Sequence, residues 1–159
     1  MKEITLPLIY NEYTAIDQLP EKDKQLILKA REASLNGYAP YSGYRVGAAV
    51  RLKNGLIITG SNQENAAYPS GLCAERTALF YASSQYPNIP MVSIAVSTFE
   101  NDVSGGARPC GACRQVMAEY EDIAGQPLRI ILDGKIQIIV LDGIDCLLPF
   151  RFGKSDLNK

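Results

Sequence analysis

The stretch PSGLCAERTALFYA, residues 69–82, places Cys73 and Glu75 at the predicted start of a helix. A second stretch, RPCGACRQVMAEY at residues 108–120, places Cys110 and Cys113 at the start of another helix. A fold that brings these two helix starts together would gather three thiols and one carboxylate at one point. Three interpretations are open for such a group: filling of the hydrophobic core, disulfide bonding and metal binding.

Outward from these two helices, the sequence predicts one mixed sheet covered by helices, an α/β layered domain. Asn54 and Gly55 form a strong hairpin signal between the first two strands. Hydrophobic patterning predicts strands at 45–53, 56–62, 91–97, 128–133 and 136–142, and helices at 21–36, 73–84 and 110–120. The remaining segments are predicted to be an irregular lead-in (1–20), a turn (38–44), a polar loop (99–108) and a short helical turn with a polar end (143–159). With 159 residues and no linker or repeat, the chain 1–159 is predicted to be a single domain.

The composition argues against a nucleic-acid or membrane partner. The net charge of −1 and the mixing of acidic and basic residues offer no electrostatic footprint for a polynucleotide. No apolar run approaches the roughly 20 residues that span a bilayer, and residues 1–13 lack the apolar core of a signal peptide. We therefore expect a cytoplasmic protein, in whose reducing surroundings closely spaced cysteines more often bind metal or carry redox chemistry than form disulfides.

The chain contains no histidine. This absence excludes a histidine general base, a Ser-His-Asp triad and any histidine-ligated metal. Proton transfer near neutral pH must then fall to a carboxylate, a cysteine, a lysine, a tyrosine or a metal-bound water.

The cysteine spacing suits a metal whose fourth position stays open. Cys110 and Cys113 lie three residues apart in a first helical turn and so share one face, and Pro109 sets the start of that helix. The partial positive charge of a helix N-terminus favours the thiolate form of these cysteines and of Cys73 at the other helix start. Zinc accepts such ligands at about 2.3 Å in a tetrahedron, and three protein ligands leave a place for water, as in a catalytic site.

Two neighbours of Cys73 fit a catalytic zinc. Residues two apart in a helix point about 200° away from each other, so Cys73 and Glu75 can both approach only a metal that lies off the helix end. A carboxylate there could hold the water and move its proton. Zinc with three thiolates carries a net negative charge, and Arg76, three residues after Cys73, would restore positive character around the thiolates.

Other interpretations of the cysteines stay open from their spacing alone. A C-x-x-C pair is often a redox pair or half of a structural zinc site. A disulfide between Cys110 and Cys113 would leave Cys73 and Glu75 unexplained. A structural zinc site needs a fourth ligand, for which Cys146 is the remaining cysteine, although its apolar neighbours suggest a core residue.

Four segments in order carry a family resemblance: YAPYSGYRVGAA (38–49), SNQENAAYPSGLCAERTA (61–78), PCGACRQV (109–116), and LLP (147–149) with Phe152. They cover nearly the whole chain and are similar to the cytidine deaminases of the small type whose zinc ligands are all cysteines. The resemblance implies a mixed five-stranded sheet between helices and a homotetramer. It also implies zinc-dependent hydrolysis of cytidine and 2′-deoxycytidine to the uridines in pyrimidine salvage, with one zinc per chain held by Cys73, Cys110 and Cys113 and with Glu75 as general acid and base.

The resemblance also implies which residues bind the substrate. Asn62 and Glu64 would grip the ribose, and the backbone of Ala74 would contact the base edge. Tyr44 stands where the family usually has phenylalanine against the base. Phe152 and the segment around Tyr68 would complete the pocket of a neighbouring subunit. The resemblance assigns no role to Phe150 and Arg151.

Four of these assignments have a structural alternative. Asn62 and Glu64 could be loop residues that cap the next helix, Tyr44 a buried aromatic at a strand start, and Phe152 a packing residue of its own C-terminal segment.

Two further functions compete with this interpretation. Another deaminase of the superfamily, such as a blasticidin-type or a nucleic-acid editing enzyme, would share the cysteine motifs, but editing enzymes typically use a histidine ligand. A non-enzymatic zinc-stabilised interaction module would use Cys146 as the fourth ligand and would have no need of Glu75.

Overall fold

A computed structural model describes residues 1–99 and 106–157 of the chain. The strands are β1 (Asn11–Tyr13), β2 (Val46–Leu52), β3 (Ile57–Ser61), β4 (Met91–Thr98), β5 (Arg129–Leu132) and β6 (Ile138–Asp142). The helices are α1 (Glu21–Ser34), α2 (Ala74–Gln85), α3 (Gly111–Ala124) and the short α4 (Lys154–Leu157). Single 3-10 turns occupy Ile16–Gln18 and Tyr68–Ser70. Of the predicted loop at 99–108, residues 100–105 lie outside the described part.

The strands form one sheet in the order β1-β6-β5-β4-β2-β3. β4 and β5 run parallel, and all the other neighbouring pairs are antiparallel. The sheet is therefore mixed, which confirms the predicted fold class. Asn54 and Gly55 lie in the turn between β2 and β3, as the hairpin signal predicted, and Gly55 has a φ of +91°.

Side chains of the central strands alternate between two hydrophobic layers. On β2, Ala48 and Val50 pack with residues of α2 and α3, whereas Ala49 packs with residues of α1. β5 repeats the pattern, with Ile130 on the α2–α3 side and Ile131 on the α1 side. The sheet is thus sandwiched between α1 and the pair α2–α3, in the predicted α/β/α arrangement.

The sheet has six strands rather than the five that the resemblance implied. The additional strand is β1, which lies in the predicted irregular lead-in and pairs antiparallel with β6, with Asn11 opposite Val140. β1 is three residues long and mostly exposed, so its sequence NEY has no buried face and no alternation that would predict a strand.

The helix boundaries differ slightly from the prediction. α3 continues four residues beyond Tyr120, to Ala124, and is capped by Gly125, which adopts a left-handed φ of +63°. Glycine takes this conformation without steric cost and is a common helix terminator. Among the described residues, no helix has both the length and the apolar character needed to cross a membrane.

Two glycines bring the helices unusually close to the sheet. A Cβ on Gly47 of β2 would lie 2.1 Å from the carbonyl oxygen of Ala30 in α1. A Cβ on Gly60 of β3 would lie 2.5 Å from the backbone nitrogen of Ala78 in α2. The absence of a side chain at Gly60 therefore sets the depth of α2, whose first turn carries Glu75 and follows Cys73.

Candidate active site

The N-termini of α2 and α3 meet and bring three sulfur atoms together. The Sγ atoms of Cys73 and Cys110 are 3.9 Å apart, and those of Cys110 and Cys113 are 3.5 Å apart. All three lie within 4.8 Å of one another, and all are free thiols. Tetrahedral zinc with bonds of about 2.3 Å to sulfur places its ligand atoms about 3.8 Å apart. The cluster therefore fits one zinc ion.

The positions of the cysteines at two helix starts bring their sulfurs into hydrogen-bonding contact, which shifts the pKa values of Cys73 and Cys113 in opposite directions. Cys73 and Cys110 are the N-cap residues of α2 and α3, and Cys113 is the third residue of α3. A hydrogen bond with Cys113, aided by Arg76 and Cys110, lowers the pKa of Cys73 to about 5. The same bond raises the pKa of Cys113, which is buried.

Arg76 contacts the sulfur cluster from the first turn of α2. Its Nη2 donates to Cys73 Sγ over 3.6 Å, and this interaction is the main cause of a raised pKa for the guanidinium. Its Nε is buried and has no hydrogen-bond partner. The side chain thus brings a permanent positive charge to the sulfur cluster, and one of its donors is still unsatisfied.

Glu75 is the buried carboxylate of the site. It is the second residue of α2, with 4% of its surface exposed. Burial raises its pKa, the charge of Cys73 acts in the same direction, and a hydrogen bond with Cys113 opposes the shift. A carboxyl group with a raised pKa beside the sulfurs is suited to both accepting and returning a proton.

Two adjacent hollows open beside the sulfurs. The larger, of about 500 Å³, is lined by Tyr41, Ser42, Asn62, Gln63, Glu64, Asn65, Tyr68, Gly71, Leu72, Cys73 and Arg76. The smaller, of about 240 Å³, is lined by Ser42, Tyr44, Val46, Asn62, Glu64, Cys73, Ala74, Glu75, Val96, Ala107, Arg108 and Cys110. Because Ser42, Asn62, Glu64 and Cys73 line both, the hollows form one cleft with a wide outer part and a narrow inner part. The inner part contains the carboxyl group of Glu75 and two of the cysteines.

Asn62 and Glu64 both line the cleft, and their side chains also hold its rim together. Asn62 accepts a hydrogen bond from the N–H of Val46 at 2.8 Å and donates one to the carbonyl of Tyr44 at 2.8 Å. Glu64 accepts from the N–H groups of Tyr41 and Ser42 at 2.8 and 3.2 Å, and from the Ser42 hydroxyl. The Ser42 hydroxyl, followed by the Tyr41 N–H, lowers the pKa of Glu64, so this carboxylate is ionised at neutral pH.

The other predicted contact residues divide into two groups. Tyr44 and the fully buried Ala74 line the inner part of the cleft. Tyr68 lines the outer part, where its ring meets that of Tyr41 edge-on at 6.3 Å. Phe152 is 58% exposed and lines neither part of the cleft in its own chain.

Cys146 does not join the sulfur cluster. Its thiol donates to the carbonyl oxygen of Ile9 at 3.3 Å, and the residue packs against the core. Within residues 1–99 and 106–157, the metal-ligand group therefore contains only the three predicted cysteines. The alternative of a four-cysteine structural site is wrong, because Cys146 lies elsewhere.

Several lining residues were not predicted from the sequence. Val96 comes from the end of β4, Ala107 and Arg108 from the segment that leads into α3, and Ser42 from the turn before β2. Val96 is patterned like any buried strand residue, so nothing in the sequence separates it from the core. Ser42 lies at the cleft because its N–H and hydroxyl groups donate hydrogen bonds to Glu64.

Several known proteins resemble this chain. The sequence profile of the family described as "Cytidine and deoxycytidylate deaminase zinc-binding region" matches residues 20–124. A cytidine deaminase of Halalkalibacterium halodurans is 43% identical over 137 residues, covering 86% of this chain and 98% of that protein. A cytidine deaminase of Sporosarcina psychrophila is 38% identical over 135 residues, covering 85% of this chain and 94% of that protein. A crystal structure of cytidine deaminase from Burkholderia pseudomallei matches with a TM-score of 0.71 and 39% identity, covering 80% of this chain and 97% of that one.

Proposed function

Because this chain belongs to the cytidine and deoxycytidylate deaminase family, we propose that it hydrolyses cytidine and 2′-deoxycytidine to the corresponding uridines and ammonia. The family makes the chain a zinc-dependent deaminase with one zinc ion per chain. The observation that carries the choice of substrate is the cleft itself. Its inner part is lined by Glu75 and two of the cysteines, and its outer part is wide enough for a sugar.

We assign Cys73, Cys110 and Cys113 as the zinc ligands on the strength of their geometry. When bound there, zinc supplies an activated water for addition to C4 of the cytosine ring. Glu75 takes the proton of that water and passes it to N3, then moves the proton of the added hydroxyl to the departing amino group. Its raised pKa allows it to hold the proton between these transfers.

Arg76 tunes the charge of the sulfur cluster. Its guanidinium donates to Cys73 and offsets part of the excess negative charge that three thiolates would bring to a divalent cation. A less negative centre is a better electrophile for activating water.

Selection of a nucleoside over a free base falls to the outer part of the cleft. The ionised Glu64 can accept hydrogen bonds from ribose hydroxyls, and Asn62 lies beside it on the same rim. Tyr44 and the backbone of Ala74 lie in the inner part, where they would contact the base.

A homotetramer, a role in pyrimidine salvage and a cytoplasmic location complete the proposal. The exposed Phe152 supports the first of these. Its side chain lies outside its own cleft, as expected for a residue that completes the cleft of a neighbouring subunit.

A substrate panel tests the proposal. The zinc-loaded protein is given equal concentrations of cytidine, 2′-deoxycytidine, deoxycytidylate, free cytosine and a cytosine-containing single-stranded oligonucleotide, and uracil products are separated and quantified. We expect turnover of both nucleosides and little of the other three. Faster turnover of deoxycytidylate or of the oligonucleotide than of either nucleoside would contradict the assignment of substrate.

A further inference from the structure

Two ion pairs join α1 to the two ends of β5. In one pair α1 supplies the arginine, and in the other it supplies the aspartate. At the end near the cleft, Arg31 of α1 binds Asp133, the residue that follows β5, through Nε at 2.7 Å and Nη2 at 2.8 Å. At the far end, Asp23 of α1 accepts a hydrogen bond from Arg129 at 2.9 Å. Both aspartates are buried: Asp133 has no exposed surface, and 5% of the surface of Asp23 is exposed. Each pair joins an aspartate to an arginine across the same two elements, and Arg129 also donates to Asp142 at 2.7 Å.

The carboxylate of Asp133 is fully occupied by partners from two layers of the fold. Besides the two donors of Arg31, its Oδ2 accepts a hydrogen bond from the buried hydroxyl of Ser97 on β4 at 2.6 Å. A charge with no solvent contact is tolerated only when such donors compensate it. The side chain of Asp133 is therefore locked in one position between α1 and β4.

The backbone of Asp133 is bonded to the inner wall of the cleft. Its N–H donates to the carbonyl of Val96 at 2.9 Å, and its carbonyl accepts from the N–H of Ala107 at 3.0 Å. The next residue, Gly134, leaves room for the returning chain, because a Cβ there would lie 2.3 Å from the nitrogen of Gly106. A locked Asp133 thus fixes Val96 and Ala107 together.

Those two residues lie where the reaction is proposed to occur. Val96, Ala107 and the adjoining Arg108 line the inner part of the cleft with Glu75. Ala107 is buried and is followed three positions later by Cys110, one of the sulfurs of the cluster. A displacement of Ala107 would move both the wall and a sulfur ligand.

We propose that Asp133 is a positioning residue for the deamination, which holds the Val96–Ala107 wall and the segment leading to Cys110 in register with Glu75. The proposal rests on the proposed function. The ion pair between Asp23 and Arg129, at the opposite end of β5, stabilises the same two elements and borders no part of the cleft. It is therefore a scaffold contact and a natural control.

The test compares Asp133→Asn with Asp23→Asn in the full-length, zinc-loaded chain. Asp133→Asn removes the carboxylate that binds Arg31, and Asp23→Asn removes one of the two carboxylates that bind Arg129, so both should lower the melting temperature. Only Asp133→Asn should lower kcat, by about tenfold or more, because small displacements at a reacting centre have large effects on rate. It should also speed the release of zinc to a chromogenic chelator, a readout that needs no substrate. Equal kcat values and equal zinc release in the two variants would overturn the proposal.

A milder pair of variants decides the matter if Asp133→Asn does not fold. Ser97→Ala removes one donor to Asp133, whereas Ser93→Ala removes a buried hydroxyl from the far end of the same strand. We expect a lower kcat and faster zinc release for Ser97→Ala alone, and unchanged values for both variants would overturn the proposal. A wild-type protein without cytidine turnover would instead contradict the proposed function, and zinc release would still report on Asp133.

Discussion

At the scale of single residues, the account depends most on Glu75. Its carboxyl group is almost completely buried, and burial raises its pKa. A buried carboxylate normally costs stability, and this one lies at the start of a helix beside three sulfurs. Its location has a chemical explanation if the group moves protons between a water and the cytosine ring.

Replacing Glu75 by glutamine should abolish turnover and leave zinc in place. Glutamine keeps the shape and cannot carry a proton, and general acid–base catalysis contributes about 10²–10⁴-fold. Because one group serves several transfers, we expect a loss at the upper end of this range, measured as kcat on cytidine with zinc content measured in parallel. Glu121→Gln is the control, since Glu121 is a carboxylate of α3 with little exposure that bonds the N–H groups of Leu128 and Ile144 away from the cleft. Activity of Glu75→Gln equal to that of the control would show that another group moves the proton.

Glu64 has two roles in this account, and a substitution can separate them. It holds the turn at Tyr41 and Ser42, and we propose that it also binds the ribose. Glu64→Ala should therefore lower the melting temperature and also narrow the ratio of kcat/KM between cytidine and free cytosine. Ser42→Ala loosens the same turn and keeps the carboxylate, so it should leave that ratio nearly unchanged. Glu64 would have a structural role alone if Ser42→Ala also narrowed the ratio of kcat/KM between cytidine and cytosine. The same conclusion would follow if Glu64→Ala kept the wild-type ratio.

At the scale of elements, the sequence predicted what is encoded locally. Apolar alternation, the Asn54-Gly55 turn and the helix starts at Cys73 and Cys110 each predicted an element that the structure contains. β1 was missed because a short, polar edge strand is specified by its neighbour β6 and not by its own pattern. No local pattern encodes the contact between the two helix starts. It could be predicted only because three cysteines and a glutamate together suit a catalytic zinc site.

The close contact between α2 and β3 gives a prediction at this scale. In Gly60→Ala, the new methyl group would meet backbone atoms of Ala78 and Ala74 at 2.5 and 2.9 Å. Because backbone cannot move aside as a side chain can, we expect a loss of about 1–3 kcal/mol in the free energy of unfolding. We also expect a lower kcat, since α2 carries Glu75.

Gly111→Ala provides the control for Gly60→Ala in the same denaturant titration. A Cβ at Gly111 meets no atom of the described chain within 4 Å, so the free energy of unfolding should change by less than about 0.5 kcal/mol. Equal stability of the two variants would show that the close approach of α2 to β3 is not required.

At the scale of the whole molecule, part of the cleft could not be predicted because distant segments build it. Val96, Ala107 and Arg108 line the inner part, yet no pattern in the sequence marks any of the three as a lining residue. Their positions follow from backbone bonds to Asp133 and from the contact of Gly106 with Gly134. Such contacts join residues some 30 positions apart in the sequence and become visible only in the fold.

Assembly should complete the active site. Phe152 is exposed in the single chain and lines no part of its own cleft, so we expect a homotetramer in which it reaches a neighbouring subunit. Light scattering coupled to size-exclusion chromatography measures the mass at assay concentrations. Phe152→Ala should raise KM for cytidine without loss of zinc. A fully active monomer would contradict the expectation.

The most direct test of the central claim is the dependence of cytidine turnover on zinc. The protein is stripped of metal with a chelator, zinc is added back in measured steps, and the loss of cytidine absorbance is followed at each step. We predict no turnover without zinc and a rise that levels off at one zinc per chain, while Glu75→Gln takes up the same zinc and stays inactive. Undiminished turnover by the zinc-free protein would contradict the claim that the three cysteines hold a catalytic zinc.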